Sequence, residues 1–163
     1  MKWSLGLLLA VIVPGWQTYS DAVNKYSIDY PSDWVKSPFQ NGMAFLSPRD
    51  GPSDLFQENV NVLVEDLSQQ PMTLEQFTEL TKKQVTDNMG TSANLTLQPT
   101  TLVGQNAEVA HYNMTYQGRA LKIKQYWFVK SKKAYVLSYT AAPEQFARYD
   151  STATQVIKSF RFN

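Results

Sequence analysis

Apolar and polar residues alternate along much of this chain, and that period of two predicts strands. Tyr26-Ser-Ile-Asp-Tyr30 alternates in this way, and Pro31-Ser-Asp-Trp34 ends it with turn residues and a large aromatic read as a core plug. Asn41-Gly42 signals a turn into a short strand, Met43 to Leu46, which Ser47-Pro48 stops, and Arg49 to Glu58 reads as a surface loop. Asn59 to Asp66 places Val60, Val62 and Val64 on one face. Asn94 to Gln98 is a weaker strand. Ala107 to Gln117 alternates again, with Ala110, Tyr112, Met114 and Tyr116 on one face, and Gln117-Gly118 makes a tight hairpin into a second long strand. There Leu121, Ile123, Gln125, Trp127 and Val129 face one way, while Lys122, Lys124, Tyr126, Phe128 and Lys130 face the other. The turn at Ser131-Lys132-Lys133 returns the chain through Ala134 to Ala141, and Phe160 to Phe162 reads as a short closing strand.

Two segments switch to the helical period. Thr73 and Gln76 have the spacing of a capping box, Met72 and Phe77 that of a hydrophobic staple, and Gly90 closes the helix. Leu74, Phe77, Thr81, Val85 and Met89 form its stripe, read as core packing. The second helix is expected to open at Pro143, with Phe146, Tyr149, Ala153, Val156, Ile157 and Phe160 on its apolar face. The resulting order, β-β-β-α-β-β-β-β-α-β, lacks the regular alternation of a parallel sheet. It predicts an α+β protein: a central antiparallel sheet sandwiched by helices.

The first residues break this pattern. Met1 to Ala22 holds one Lys, an apolar run from Leu5 to Val13, a Pro-Gly break and then polar residues, the order of a signal peptide, with an uncleaved N-terminal anchor as the alternative. The apolar run is short for a membrane span. The small residues at Ser20 and Ala22 suggest a cut after Ala22, leaving 23–163 as a single domain.

Composition excludes several classes. Hydrophobic residues make up 43% of the 163 and aromatics 13%, too many for a disordered chain. With no cysteine, disulfides, thiolate metal sites and cysteine nucleophiles are absent, as is a lipid-anchoring cysteine. The net charge of +1 gives no general pull toward nucleic acid, and no nucleic-acid partner is expected. Its distribution is uneven, however. No acid lies between Glu108 and Glu144, where Arg119, Lys122, Lys124, Lys130, Lys132 and Lys133 fall. These are either solvated faces that keep sheet edges soluble or a basic face that docks on an acidic partner. Lys122, Lys124, Lys132 and Lys133 are the residues singled out for partner binding.

Catalytic chemistry finds little support. His111 is the one histidine, read as a surface or hydrogen-bonded residue, and no nucleophile elbow, phosphate loop or H-E-x-x-H is present. Asp50, Asp54 and Glu58 resemble a spaced set of hard-cation ligands, but calcium needs more oxygens at tighter spacing, and a solvated loop is the better reading. No catalytic residue, bound cofactor or metal ligand is assigned.

A family resemblance adds to this. Tyr26 to Trp34, Asn59 to Val64, Leu74-Glu-Gln-Phe77, Gln125-Tyr-Trp-Phe-Val129, Ala134 to Thr140 and the closing Ser159-Phe160 are similar to the PsbP-like family, whose type member is an extrinsic lumenal subunit of photosystem II. The resemblance implies an α-β-α sandwich, shared with a Ran-binding nuclear-import factor. It also implies a non-enzymatic, extracytoplasmic protein of the thylakoid lumen or periplasm. Such a protein would associate peripherally with a membrane protein complex, photosystem II in a photosynthetic source, and calcium would enter only through that complex. The alternative is an exported small-molecule-binding or hydrolytic protein without a recognisable site.

Overall fold

The computed structural model describes residues 15–163. Its ten strands and two helices follow the order β1 (Trp16–Asp21), β2 (Tyr26–Pro31), β3 (Val35–Phe39), β4 (Gly42–Leu46), β5 (Asn59–Asp66), α1 (Leu74–Met89), β6 (Thr96–Leu102), β7 (Gln105–Tyr116), β8 (Arg119–Lys130), β9 (Lys133–Ala141), α2 (Phe146–Lys158) and β10 (Arg161–Phe162). A short 3-10 turn, Gly90–Ala93, follows α1. Seven strands form one antiparallel sheet in the order β3-β4-β5-β9-β8-β7-β6, and three form a small one, β1-β2-β10. The fold is the expected α+β arrangement.

The period-two pattern sorts β8 between two cores. Trp127 is 1% exposed and packs with Phe77 of α1, Ala110, Ala134, Val136 and Leu67. Its indole N–H donates to Thr78 Oγ1 at 2.9 Å, which satisfies the ring's polar handle and ties α1 to the sheet. On the opposite face Tyr126 and Phe128 join Val60, Val62, Leu137, Tyr139 and the buried stripe of α2, Ala153, Val156 and Ile157. The small sheet closes this second core: Phe128 stacks on Tyr135 and meets Phe160 and Phe162 edge-on. Trp34 is buried there, edge-on to Tyr149.

The helix punctuation of α1 is as expected. Gln76 N–H donates to Thr73 Oγ1, Thr73 N–H donates to Gln76 Oε1, and Gly90 ends the helix at φ 62°. Other boundaries differ from the sequence reading. Pro143 to Gln145 form a turn, with Gln145 N–H donating to Ala142 O, and α2 begins only at Phe146. β1 and β3 had no sequence signal. β3 contains Pro38, and the seven-stranded sheet has it at one edge and β6, with Pro99, at the other, where a missing N–H leaves no ladder bond unmade.

The expected leader, residues 1–22, lies outside the described residues for positions 1–14. Its remainder is ordered strand: β1 pairs with β2 from Trp16↔Pro31 to Asp21↔Tyr26. The expected boundary at Ala22 therefore falls within the β1–β2 turn.

Candidate functional site

The four singled-out lysines are not brought together. Lys124 is turned inward: its Nζ lies 2.9 Å from Asp150 Oδ1 and donates to Thr154 Oγ1 at 2.9 Å, and its side chain is 12% exposed. It clamps α2 to the sheet. Lys122, on the same strand face, is exposed and stands 5.9 Å from the ring of Phe146. Lys132 and Lys133 lie at the far end of the β8–β9 hairpin, roughly 30 Å away at about 3.3 Å per residue. Lys132 is exposed, and Lys133 Nζ donates to Asn24 Oδ1 at 3.1 Å, which brings Lys25 of the β1–β2 turn into the same neighbourhood. Lys130 lies over Phe162 at 4.4 Å.

The other end of the sheet is concave. There the 47–58 loop, the tip of the β7–β8 hairpin and the turn before α2 enclose a cavity of about 530 Å³, lined by Asp50, Asp54, Leu55, Phe56, Glu58, Arg119, Ala120, Pro143, Glu144 and others. A second cavity of about 510 Å³ abuts it at Ala120 and Pro143, on the side of α1's last turn, where Met89, Met114 and Leu121 line it. Leu55 and Tyr116, 73% and 56% exposed, belong to the loop and the hairpin tip at this end.

The carboxylates of the first cavity are engaged unequally. Asp50 pairs with Arg148. Asp54 accepts the N–H groups of Asp50 and Phe56 at 3.0 and 3.1 Å, and these bonds hold its carboxyl below the usual range. Glu58 is buried, and burial pushes its carboxyl up, although Ala142 N–H donates to it at 3.4 Å. Glu144 is exposed, and among the described residues it makes no ion pair. Neither does Arg119, whose guanidinium stands 5.7 Å from the ring of Phe56.

The acidic trio Asp50, Asp54 and Glu58 thus builds a loop. Among the described residues no group of three His, Asp or Glu side chains is placed to hold a metal ion. His111 is exposed on β7 opposite Lys124, and partial burial followed by that lysine's charge pushes its imidazole below the ordinary value. Among the described residues no helix is long and apolar enough to cross a membrane.

The family model described as PsbP matches residues 14–162. The chain belongs to the PsbP family. Its fold is similar to the solution structure of cyanobacterial PsbP from Synechocystis sp. PCC 6803, with 17% identity, a TM-score of 0.63, and coverage of 98% of this chain and 99% of that one. It is also similar to PA94, a Pseudomonas aeruginosa protein of unknown function, at 14% identity and a TM-score of 0.62, covering 88% and 94% of the two chains. The Saccharomyces cerevisiae Ran-binding protein Mog1p shares the fold at 8% identity and a TM-score of 0.56, covering 91% and 95%. No curated protein matches by sequence. At these identities the likeness concerns the fold alone, and a shared fold does not carry a shared role.

The groove at the sheet end escaped the sequence reading because its parts come from four separate segments. The nearest signals are Arg119, next to the hairpin glycine, and Pro143, whose pattern is that of a helix start.

Proposed function

We propose that this protein is a non-enzymatic, extracytoplasmic member of the PsbP family that attaches peripherally to a membrane protein complex and supports its assembly. In a photosynthetic source that complex is photosystem II, the compartment is the thylakoid lumen, and any calcium belongs to the complex; in other bacteria the compartment is the periplasm. The observation that carries the reading is the family match, which runs through residues 14–162. Coverage of nearly the whole of the Synechocystis protein agrees with it.

Charge supports a docking role for one end of the molecule. Lys25 and Lys132 stand exposed on turns and Lys133, the first residue of β9, reaches Asn24 beside Lys25, while Lys122 stands apart and Lys124 is occupied by Asp150. Exposed charges act over roughly 10 Å at 0.1 M salt and steer encounters with an oppositely charged surface. The test is membrane fractionation followed by gentle detergent extraction. The wild-type chain is expected to co-purify with a membrane complex at low salt and to be released as salt rises. Combined Lys25→Glu, Lys132→Glu and Lys133→Glu should weaken that association about tenfold. Recovery only in the soluble fraction at low salt would overturn the proposal, and unchanged association of the variant would clear the lysine end.

A further inference from the structure

We infer that the groove at the Glu144 end of the sheet is a docking site for an extended segment of a partner polypeptide that carries a lysine or arginine followed within a few residues by apolar side chains. The inference goes beyond the membrane docking proposed above: it concerns a second surface, at the end of the sheet opposite Lys132 and Lys133. Three independent features converge on this end of the fold.

The first is shape. The two cavities, about 530 and 510 Å³, share Ala120 and Pro143 as a common wall. Together they wrap the start of β8 from the α2 side to the α1 side. An extended chain advances about 3.3 Å per residue, so a stretch of roughly four to six residues would reach from one cavity into the other.

The second is the division of chemistry between the halves. The first cavity carries Asp50, Asp54, Glu58 and Glu144 against the single lining cation Arg119. Asp50, Asp54 and Glu58 are already engaged within the loop and its neighbours, while Glu144 is exposed with no ion pair among the described residues. Glu144 is therefore the group available to a partner's cation, since Asp50 is neutralised by Arg148, Asp54 is held by backbone N–H groups and Glu58 is buried. Arg119, likewise without an ion pair among the described residues, keeps its donors for the segment's carbonyl groups. The second cavity presents Met89, Met114 and Leu121, and methionine adapts its shape to apolar side chains of different form.

The third is apolar surface at the same end: Leu55 on the loop and Tyr116 at the hairpin tip are large and mostly exposed. Leu55 lines the first cavity, Tyr116 pairs across the hairpin with the lining residue Arg119, and aromatic, arginine and methionine side chains are the types enriched in protein-binding centres.

Selection of a phage-displayed random dodecapeptide library on the full-length chain tests this directly. The expected result is enrichment of sequences with Lys or Arg two to four residues from Leu, Ile or Met. A synthetic consensus peptide should bind with an affinity that falls as salt rises. Glu144→Lys and Met114→Glu, at partly or fully exposed positions, should each weaken it about tenfold, with the thermal midpoint recorded to show that both variants fold. Lys132→Glu, at the opposite end, should leave it unchanged. No consensus, an acidic consensus, or a peptide indifferent to Glu144→Lys and Met114→Glu would overturn the inference. Because the selection needs no membrane, its result separates from the fractionation experiment. Peptide binding without membrane association removes the docking reading and keeps the groove, and the reverse outcome does the opposite.

Discussion

A Cβ at position 42 would stand 1.8 Å from the carbonyl oxygen of Val62. Gly42 opens β4 and pairs with Leu63, so here the absence of a side chain lets two backbones approach. Gly42→Ala is expected to force β4 away from β5 and to cost about 3 kcal/mol or more, as overpacking against backbone does at its upper range; urea unfolding will read it. Glu58 carries a different constraint. Its carboxyl is raised in the folded state by burial, above an ordinary value of 4.5. Below that value it is neutral whether folded or unfolded. As pH rises past it the unfolded chain loses the proton first, so stability falls until the folded carboxyl has also ionised. Asp29, held low by Arg161, gives the opposite trend on acidification, so the comparison must be a difference. Wild type minus Glu58→Gln, followed as thermal midpoints from pH 4 to pH 8, is expected to decline above pH 4.5. A flat difference would remove the buried carboxylate as its cause. Neither role is visible in the sequence, where Gly42 is half of an Asn-Gly turn signal and Glu58 one of several loop acids.

The elements themselves were the most legible part. The capping box at Thr73 and Gln76, the valine face of β5 and the two-sided pattern of β8 all rest on spacing within a few residues. β1 and β3 were not legible: the first has the polar composition that follows a leader's apolar run, and the second holds a proline that only an edge position tolerates. The β8–β9 turn shows how a fold overrides local preference. Ser131 and Lys132 take φ of 51° and 58°, the left-handed pair of a type I′ hairpin that Asn-Gly satisfies with least strain. Replacing them by Asn-Gly should raise stability by about 0.5–1 kcal/mol in denaturant titration. The same variant lacks Lys132, so its membrane association gives an independent reading of that lysine in a stabilised background.

At the scale of the molecule, the expected boundary at Ala22 separates β1 from the strand it pairs with. β1 supplies Tyr19, which meets both Tyr26 and Phe45 edge-on, and its pairing covers β2 along its whole length. A chain beginning at Gly15 should unfold as one cooperative unit. A chain beginning at Val23 loses this strand with its half-buried Tyr19, and its stability should drop by about 1–3 kcal/mol, below the scale of deleting a fully buried aromatic. Equal stability of the two would return the boundary to Ala22. The candidate sites follow the same logic. The lysines stand out by their charge, a local property, but only the packing of α2 shows that Lys124 is spent on Asp150 while Lys132 is exposed.

From the sequence alone came the class of fold, both helices and eight of the ten strands, because period, caps and turns are written within a few residues of one another. Tertiary structure alone decided which lysines are engaged within the fold and that a groove exists. Each of those depends on segments far apart in sequence: Glu58 meets Ala142, 84 residues on, and the hairpin tip at Arg119 closes over the loop at Phe56. No local pattern records such meetings, since the free energy that selects them is shared among the whole core.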